Sequence, residues 1–287
     1  MSKFLIVNGD DFGSCRAVNK GIQLAYEKGI LTSASLMAGG KAFDEAVEIA
    51  KDHPNLGVGI HLTLVLGRAV LPAKKIKGLV NREGNFTNNP VLGGMRYFFS
   101  KSLQSTISIE IEAQIEKFLN TGLKPTHVDG HLNIHLHPTV LDLLLPVLDK
   151  YNIRAMRVPK ENLMLHLKFN KNRFFSFAVH AVIFSLLSQR AKVLLCHKHI
   201  RFPDQTFGLL QSGSMTQDFL ETVLPKLPDG VTEMGFHVAK GEVDKEASVS
   251  GYRYGEELSA LMDPEIKELV KQNGIQLINY GHFTDSV

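Results

Sequence analysis

Eleven residues, HVDGHLNIHLH from His127 to His137, hold four histidines and an aspartate, and a proline follows directly. Two other pieces offer matching chemistry: the adjacent Asp10 and Asp11 in LIVNGDDFG, and His61 in GVGIHLTL. Two imidazoles and one carboxylate from separate strands form the kind of set that holds a divalent cation on one face and leaves positions open for water and substrate. Each group also has a plainer reading. Paired aspartates after a strand often cap the next helix or turn, and a lone histidine in an apolar strand is commonly a satisfied core group. His237 in GFHVA is of the residue type that can give a proton to a leaving amine near neutral pH, and a structural histidine is its alternative. Arg157 in MRVP orients a carboxylate, binds substrate, or is a solvated strand end.

Positioning such groups requires strands that end together. Short apolar runs alternate with helix-period stretches along the chain: FLIVNG, LTSASLMA, LGVGIHLTL, KPTHVDGH, IRAMRVP, KVLLC (192–196), GVTEMGFHVA and IQLINY read as strands. Between several of them lie helical patterns such as AVNKGIQLAYEKG, AFDEAVEIAKDH, ISIEIEAQIEKFLNTG and PTVLDLLLPVLDKY, and DPEIKELVKQNG precedes the last. About eight strands in βα alternation predict an α/β fold with a parallel sheet, closed as a TIM-like (βα) barrel of irregular form. No GxGxxG or GxxxxGK[ST] loop follows the first strand, which removes the usual support for a dinucleotide or P-loop fold. Two insertions, 67 to about 106 and 159 to about 191, interrupt the rhythm without linker composition, so residues 1–287 read as one domain with elaborated loops.

In parallel α/β folds ligands bind at the carboxyl ends of the strands, where Asp10, Asp11, His61 and His131 would all face one mouth. Within the histidine-rich stretch, positions 127, 131 and 135 would share one helix face, but Pro125 and Gly130 oppose a helix. A strand ending near Gly130 puts His131 at the mouth and His135 and His137 in the following loop, with Pro138 opening a helix. His127, inside the strand, reads as structural or as a support from behind.

The bulk numbers limit the classes of function. Of 287 residues, 44% are hydrophobic and 21% charged, a globular composition. A net charge of +3, with no basic cluster interleaved with aromatics, argues against nucleic acid as a partner. Only Cys15 and Cys196 are present, with no metal-type spacing, which fits a reducing cytoplasm. The start MSKFLIVNGDD reaches acidic residues too early for a signal peptide's apolar core.

Taken in order, LIVNGDDFG, GILTSASLM, VGIHLTL, KPTHVDGHLNIHLHP, RVP and EMGFHVA resemble the YdjC-like carbohydrate deacetylases, a group that includes chitooligosaccharide deacetylases and hopanoid-biosynthesis-associated deacetylases. The segments LVNREGNF, GLLQSGSMT and LPDGVTE look closer to the hopanoid-associated branch. The resemblance implies a TIM-like barrel with one divalent metal held by Asp11, His61 and His131, Asp10 as general base and His237 as acid. It also implies removal of acetyl from an N-acetylated amino sugar by an activated water. One departure is HVA where the family often has His-Pro-Ala, which bears on how rigidly His237 is presented. Two imidazoles favour zinc or another transition metal, with magnesium also compatible. His135 and Arg157 are expected to bind substrate.

The apolar run in FFSFAVHAVIFSLLSQRAK (174–192) is about 15 residues, short of the ~20 that span a bilayer. Lys168, Lys171 and Arg173 before it and Arg190 and Lys192 after it suit a peripheral contact with the inner face of a membrane; a buried helix or a homo-oligomer interface is the alternative. Other functional readings are a different metal-dependent barrel hydrolase or sugar isomerase, and a catalytically silent carbohydrate-binding protein. The last predicts a lost ligand or base, yet all four residues of the set are present.

Overall fold

The structure, a computed structural model, describes residues 2–161 and 174–285. Its centre is a parallel sheet with strand order β4-β3-β2-β1-β6-β5 and β7 beside the start of β1. The strands are β1 (Lys3–Phe12), β2 (Ser33–Leu36), β3 (Gly57–Leu62), β4 (Val128–Gly130), β5 (Gln205–Phe207), β6 (Gly230–Phe236) and β7 (Ile275–Leu277). β2 and β3 are buried along their whole length, and β1 and β6 everywhere but their first two residues. Near-continuous apolar runs are what a sheet covered on both faces requires.

The helices are α1 (Arg16–Lys28), α2 (Phe43–Asp52), α3 (Pro90–Phe99), α4 (Gln104–Leu119), α5 (Pro138–Lys150), α6 (Phe174–His197), α7 (Gln217–Val223), α8 (Tyr254–Met262), α9 (Pro264–Gln272) and α10 (Tyr280–Asp285). Several start where the sequence marks a start. Asn89 and Asp263 accept side-chain cap bonds from Leu92 N and Glu265 N, with Pro90 and Pro264 next in line, and Pro138 opens α5.

The sheet curls. Parallel bridges Val128↔Met156 and Ala155↔Arg201 carry it past β4 toward the segment that becomes β5. The expected barrel is therefore met as an α/β fold with a curled parallel sheet, and eight regular strands are not formed among the described residues. IRAMRVP contributes isolated bridges instead of a full strand. KVLLC, expected as a strand, forms the last turns of α6, where Ala191 and Leu195 face the core while Val193 is exposed. A five-residue apolar run satisfies a buried strand and one side of a helix equally well.

The first insertion folds into α3 and the approach to α4. In the second, residues 162–173, with the basic Lys168, Lys171 and Arg173, lie outside the described residues. The described side chains of α6 present Val182, Ile183, Leu186 and Val193 outward, against Ser188, Ala191 and Leu195 inward. No helix among the described residues is long and apolar enough to cross a membrane.

Candidate active site and metal centre

Asp10 and Asp11 lie in the last residues of β1, and a pleated strand would send neighbouring side chains to opposite faces. A bulge removes that conflict. β1 pairs Gly9 with Ala34 and Phe12 with Leu36, three steps on one strand against two on the other. Asp11 takes up the difference with φ 62°, a left-handed conformation uncommon for a residue with a side chain. Both carboxylates consequently enter one site, and the strain is local to it.

His61, next to last in β3, lies directly opposite Asp129 on β4, so the sheet register itself makes a carboxylate–imidazole pair, Nδ1 to Oδ1 at 2.7 Å. That fixes the ring and turns Nε2 toward Asp11 Oδ1, 3.2 Å away but without a hydrogen bond. His131 follows β4 at the first position of a 3-10 turn, its Nδ1 2.8 Å from the same Asp11 oxygen. The backbone then turns sharply through positive φ at Leu132 and Asn133. Asp11, His61 and His131 are all buried and bring one ligand atom each to within 4.8 Å of one another. An unsatisfied buried Nε2, a second imidazole and a carboxylate are the donor set a transition metal takes, with Asp129 as the carboxylate that orients a ligating histidine. This donor set fits one divalent cation.

The electrostatics agree. Burial pushes the His61 imidazolium down, yet Asp129 and Asp11 together raise its pKa to about 10, so the site favours a positive charge here, whether proton or cation. Burial would raise Asp11, but His131 and His61 hold it well below the usual carboxylate range.

Asp10 is held separately. Arg157 clamps it with two bonds of 2.7 Å, reaches Asp129 at 3.0 Å and donates through Nε to Glu233 at 2.7 Å. Burial opposes the charge on Asp10, and the Arg157 guanidinium overcomes it, leaving the pKa lowered and the carboxylate ionised. Asn8 also donates to Asp10 Oδ1 at 2.8 Å. Burial raises Glu233 to about 7 against the pull of Arg157, and Tyr280 OH donates to it at 2.6 Å. Arg157 is thus buried among three carboxylates and orients one.

His237 follows β6, with Nε2 4.0 Å from oxygens of both Asp10 and Asp11 and its ring 4.6 Å from that of Tyr252. Burial lowers its pKa, with Asp11 and Asp10 pulling the other way, so the resting imidazole is neutral. Its backbone N–H donates to Glu257, which also accepts from Met215 N at 2.8 Å. That carboxylate ties the end of β6 to the loop before α7 where the family pattern's proline is missing.

Burial drives the Glu257 carboxyl up to about 8 despite the two N–H donors. A carboxyl whose pKa is raised on folding favours the folded state fully below the ordinary pKa of 4.5, and this contribution is lost as pH rises through about 8. Wild type should lose on the order of a few kcal/mol from this group between pH 5 and 9. Glu257→Gln, whatever its baseline, should have a correspondingly flatter profile in urea titrations; parallel profiles would show that the group titrates normally.

The remaining histidines divide as their burial dictates. His127 is wedged against Gly59, where a Cβ would come within 2.3 Å of its ring, and stacks on Tyr280 at 3.8 Å. Its Nε2 lies 3.2 Å from Ser35 Oγ, and Ser35 donates to Asp129, so it supports the site from behind. His135, expected to touch substrate, is fully enclosed and donates through Nε2 to the Arg157 carbonyl at 3.0 Å. It lies in the turn after His131, and the structure does not bring it to the cavity wall.

A cavity of about 1140 Å³ opens over the cluster, floored by Asp11 and His131 and walled by Leu66–Arg68, by most of the residues from Gly78 to Asn88 and by 244–249. Asp129 is not among the residues expected at the site, although it stands between His127 and His131 at the strand period of two. Glu233 and Glu257 gave no such signal.

Comparison with known proteins agrees over the full length. Residues 4–272 match the family of YdjC-like proteins. The chain is 33% identical to a carbohydrate deacetylase of Geobacillus stearothermophilus over 99% of each chain. It is 31% identical to a chitooligosaccharide deacetylase of Salmonella paratyphi B over 57% of this chain and 62% of that one. A crystal structure from Enterococcus faecalis V583, of a protein named provisionally for cellobiose-phosphate cleavage, superposes with a TM-score of 0.75 at 28% identity, covering 99% of both chains.

Proposed function

Because the chain belongs to the YdjC-like family, we propose that it is a metal-dependent carbohydrate deacetylase that hydrolyses the acetamide of an N-acetylated amino sugar. The observation that carries this reading is the meeting of Asp11, His61 and His131 at one buried point, with an Arg157-clamped Asp10 beside them.

Asp11, His61 and His131 would hold the cation, which when bound would supply Lewis acidity for water and for the negative charge on the acetyl oxygen. Asp10, kept ionised by Arg157, takes the proton of the attacking water. Its oxygens cannot swing away, because Asn8 and Arg157 fix them both. The carbon–nitrogen bond breaks as nitrogen gains a proton, for which His237 Nε2, beside Asp10 Oδ2, offers the path. Water is thus divided: hydroxyl goes to the acetyl carbon, giving acetate, and a proton goes to the amine. Two imidazole ligands favour zinc or another transition metal.

The cavity exceeds what a single small ligand fills, which suits an oligosaccharide or a glycan carried on a larger group. LVNREGNF, among the segments closest to the hopanoid-associated branch, contributes Leu79, Val80, Asn81, Glu83, Asn85 and Phe86 to its wall, so the resemblance falls where substrate choice is made. The outward apolar row of α6 supports a peripheral membrane contact for 174–192. Acetate release across N-acetylated mono- and oligosaccharides tests the reading, with release from at least one expected and release from none across a broad panel against it.

A further inference from the structure

A separate surface stands out beside the cavity mouth. α3 turns Gly93 and Tyr97 inward, where the Tyr97 hydroxyl donates to the Leu64 carbonyl at 2.6 Å. Outward it presents Val91, Leu92, Met95, Phe98 and Phe99, each between 50% and 75% exposed. These sit at i, i+1, i+4, i+7 and i+8, one continuous stripe, and the rings of Phe98 and Phe99 are 5.1 Å apart. Two phenylalanines and three large aliphatic side chains in water on one short helix form a patch that soluble surfaces seldom leave uncovered.

The charge of the segment that carries this patch is one-sided. Between residues 67 and 109 the sequence has seven basic residues and one acidic one, Glu83, although the whole chain is only +3, so the rest of the molecule is net acidic. Lys74, Lys75 and Lys77 are exposed on the turn before Gly78, and Lys101 follows α3. The lysine turn is fixed against the helix, because Arg96 donates to the Gly78 carbonyl at 2.6 Å and Gly78 packs toward Leu103. Gly78 and Arg96 also line the cavity above Asp11 and His131.

We propose that the α3 stripe and its lysine margin form a docking face for an anionic lipid surface, which brings the mouth of the cavity to the bilayer. An apolar stripe inserted at headgroup depth beside basic side chains is the combination interfacial helices use. The basic excess selects a negatively charged surface over a second copy of this chain, whose matching face would bring lysines against lysines. This face is distinct from α6 and does not depend on the deacetylase reading.

The test is co-sedimentation of the full chain with vesicles of phosphatidylcholine alone or with 30% phosphatidylglycerol. Binding is expected to the anionic vesicles, weak or none to the neutral ones, and to fall with added salt. A variant with Lys74, Lys75 and Lys77 changed to Gln should lose about a hundredfold in affinity, each lysine near the surface contributing roughly fivefold. Phe98→Ser with Phe99→Ser should lose binding with unchanged circular dichroism, and both variants should keep wild-type hydrolysis of a soluble substrate. No binding to anionic vesicles at low salt overturns the proposal. So does binding lost only by Ile183→Gln with Leu186→Gln on α6, or a dimer that the phenylalanine variant converts to monomer without any vesicle binding.

Discussion

His131→Ala is expected to emerge without bound metal and to release acetate about a thousandfold more slowly than wild type. A Lewis acid is worth several kcal/mol at a developing oxyanion, and each 1.36 kcal/mol is tenfold in rate. The loss should not be repaired by substrate concentration, since the missing interaction belongs to the transition state. His131 sits on a turn after β4, away from the sheet register, and among the described residues its side chain hydrogen-bonds to Asp11 alone. The variant should therefore fold. Circular dichroism and a urea midpoint near wild type would separate lost chemistry from lost structure. A variant with full metal content and full activity would remove His131 from the ligand set.

Asp10→Asn is expected to keep its metal and lose between about a hundredfold and ten-thousandfold in turnover, the range a positioned base contributes. The distinction matters because Asp10, His61 and Asp129 also come close enough together to suggest a ligand group. Arg157 decides between the two. It donates to both oxygens of Asp10 and lies 3.0 Å from one of Asp129, so a cation in that alternative group would face the guanidinium charge, while Asp10 Oδ2, with one donor on it, keeps a lone pair for a proton. Among the described residues no arginine or lysine reaches Asp11, which meets histidines. Metal content measured beside turnover reads this directly, since loss of both would make Asp10 a ligand.

The strand ends were legible in the sequence because a buried parallel strand writes itself as a continuous apolar run, and Asp10, Asp11, His61 and His131 each break or close one. What was not legible is how two consecutive aspartates reach one site. The bulge at Asp11 depends on the register between β1 and β2, which no local pattern records. For His135 the sequence shows a loop after Gly130; the tight 3-10 turn that buries it and aims its Nε2 at the Arg157 carbonyl depends on positive φ at Leu132 and Asn133, which no local pattern records. β5, three residues from Gln205 to Phe207, carries too little periodicity to read as a strand, whereas KVLLC reads as one because it is an apolar run, which α6 absorbs. Glu233 and Glu257 act through groups 76 and 20 positions away, which only folding brings near.

The most direct measurement is acetate release by protein stripped with a chelator and then reloaded, followed together with bound metal. Activity should vanish on stripping and return in proportion to metal up to one equivalent per chain, in wild type and not in His131→Ala. Undiminished acetate release from fully stripped wild type, or restoration that needs two equivalents, would contradict a single catalytic cation held by Asp11, His61 and His131.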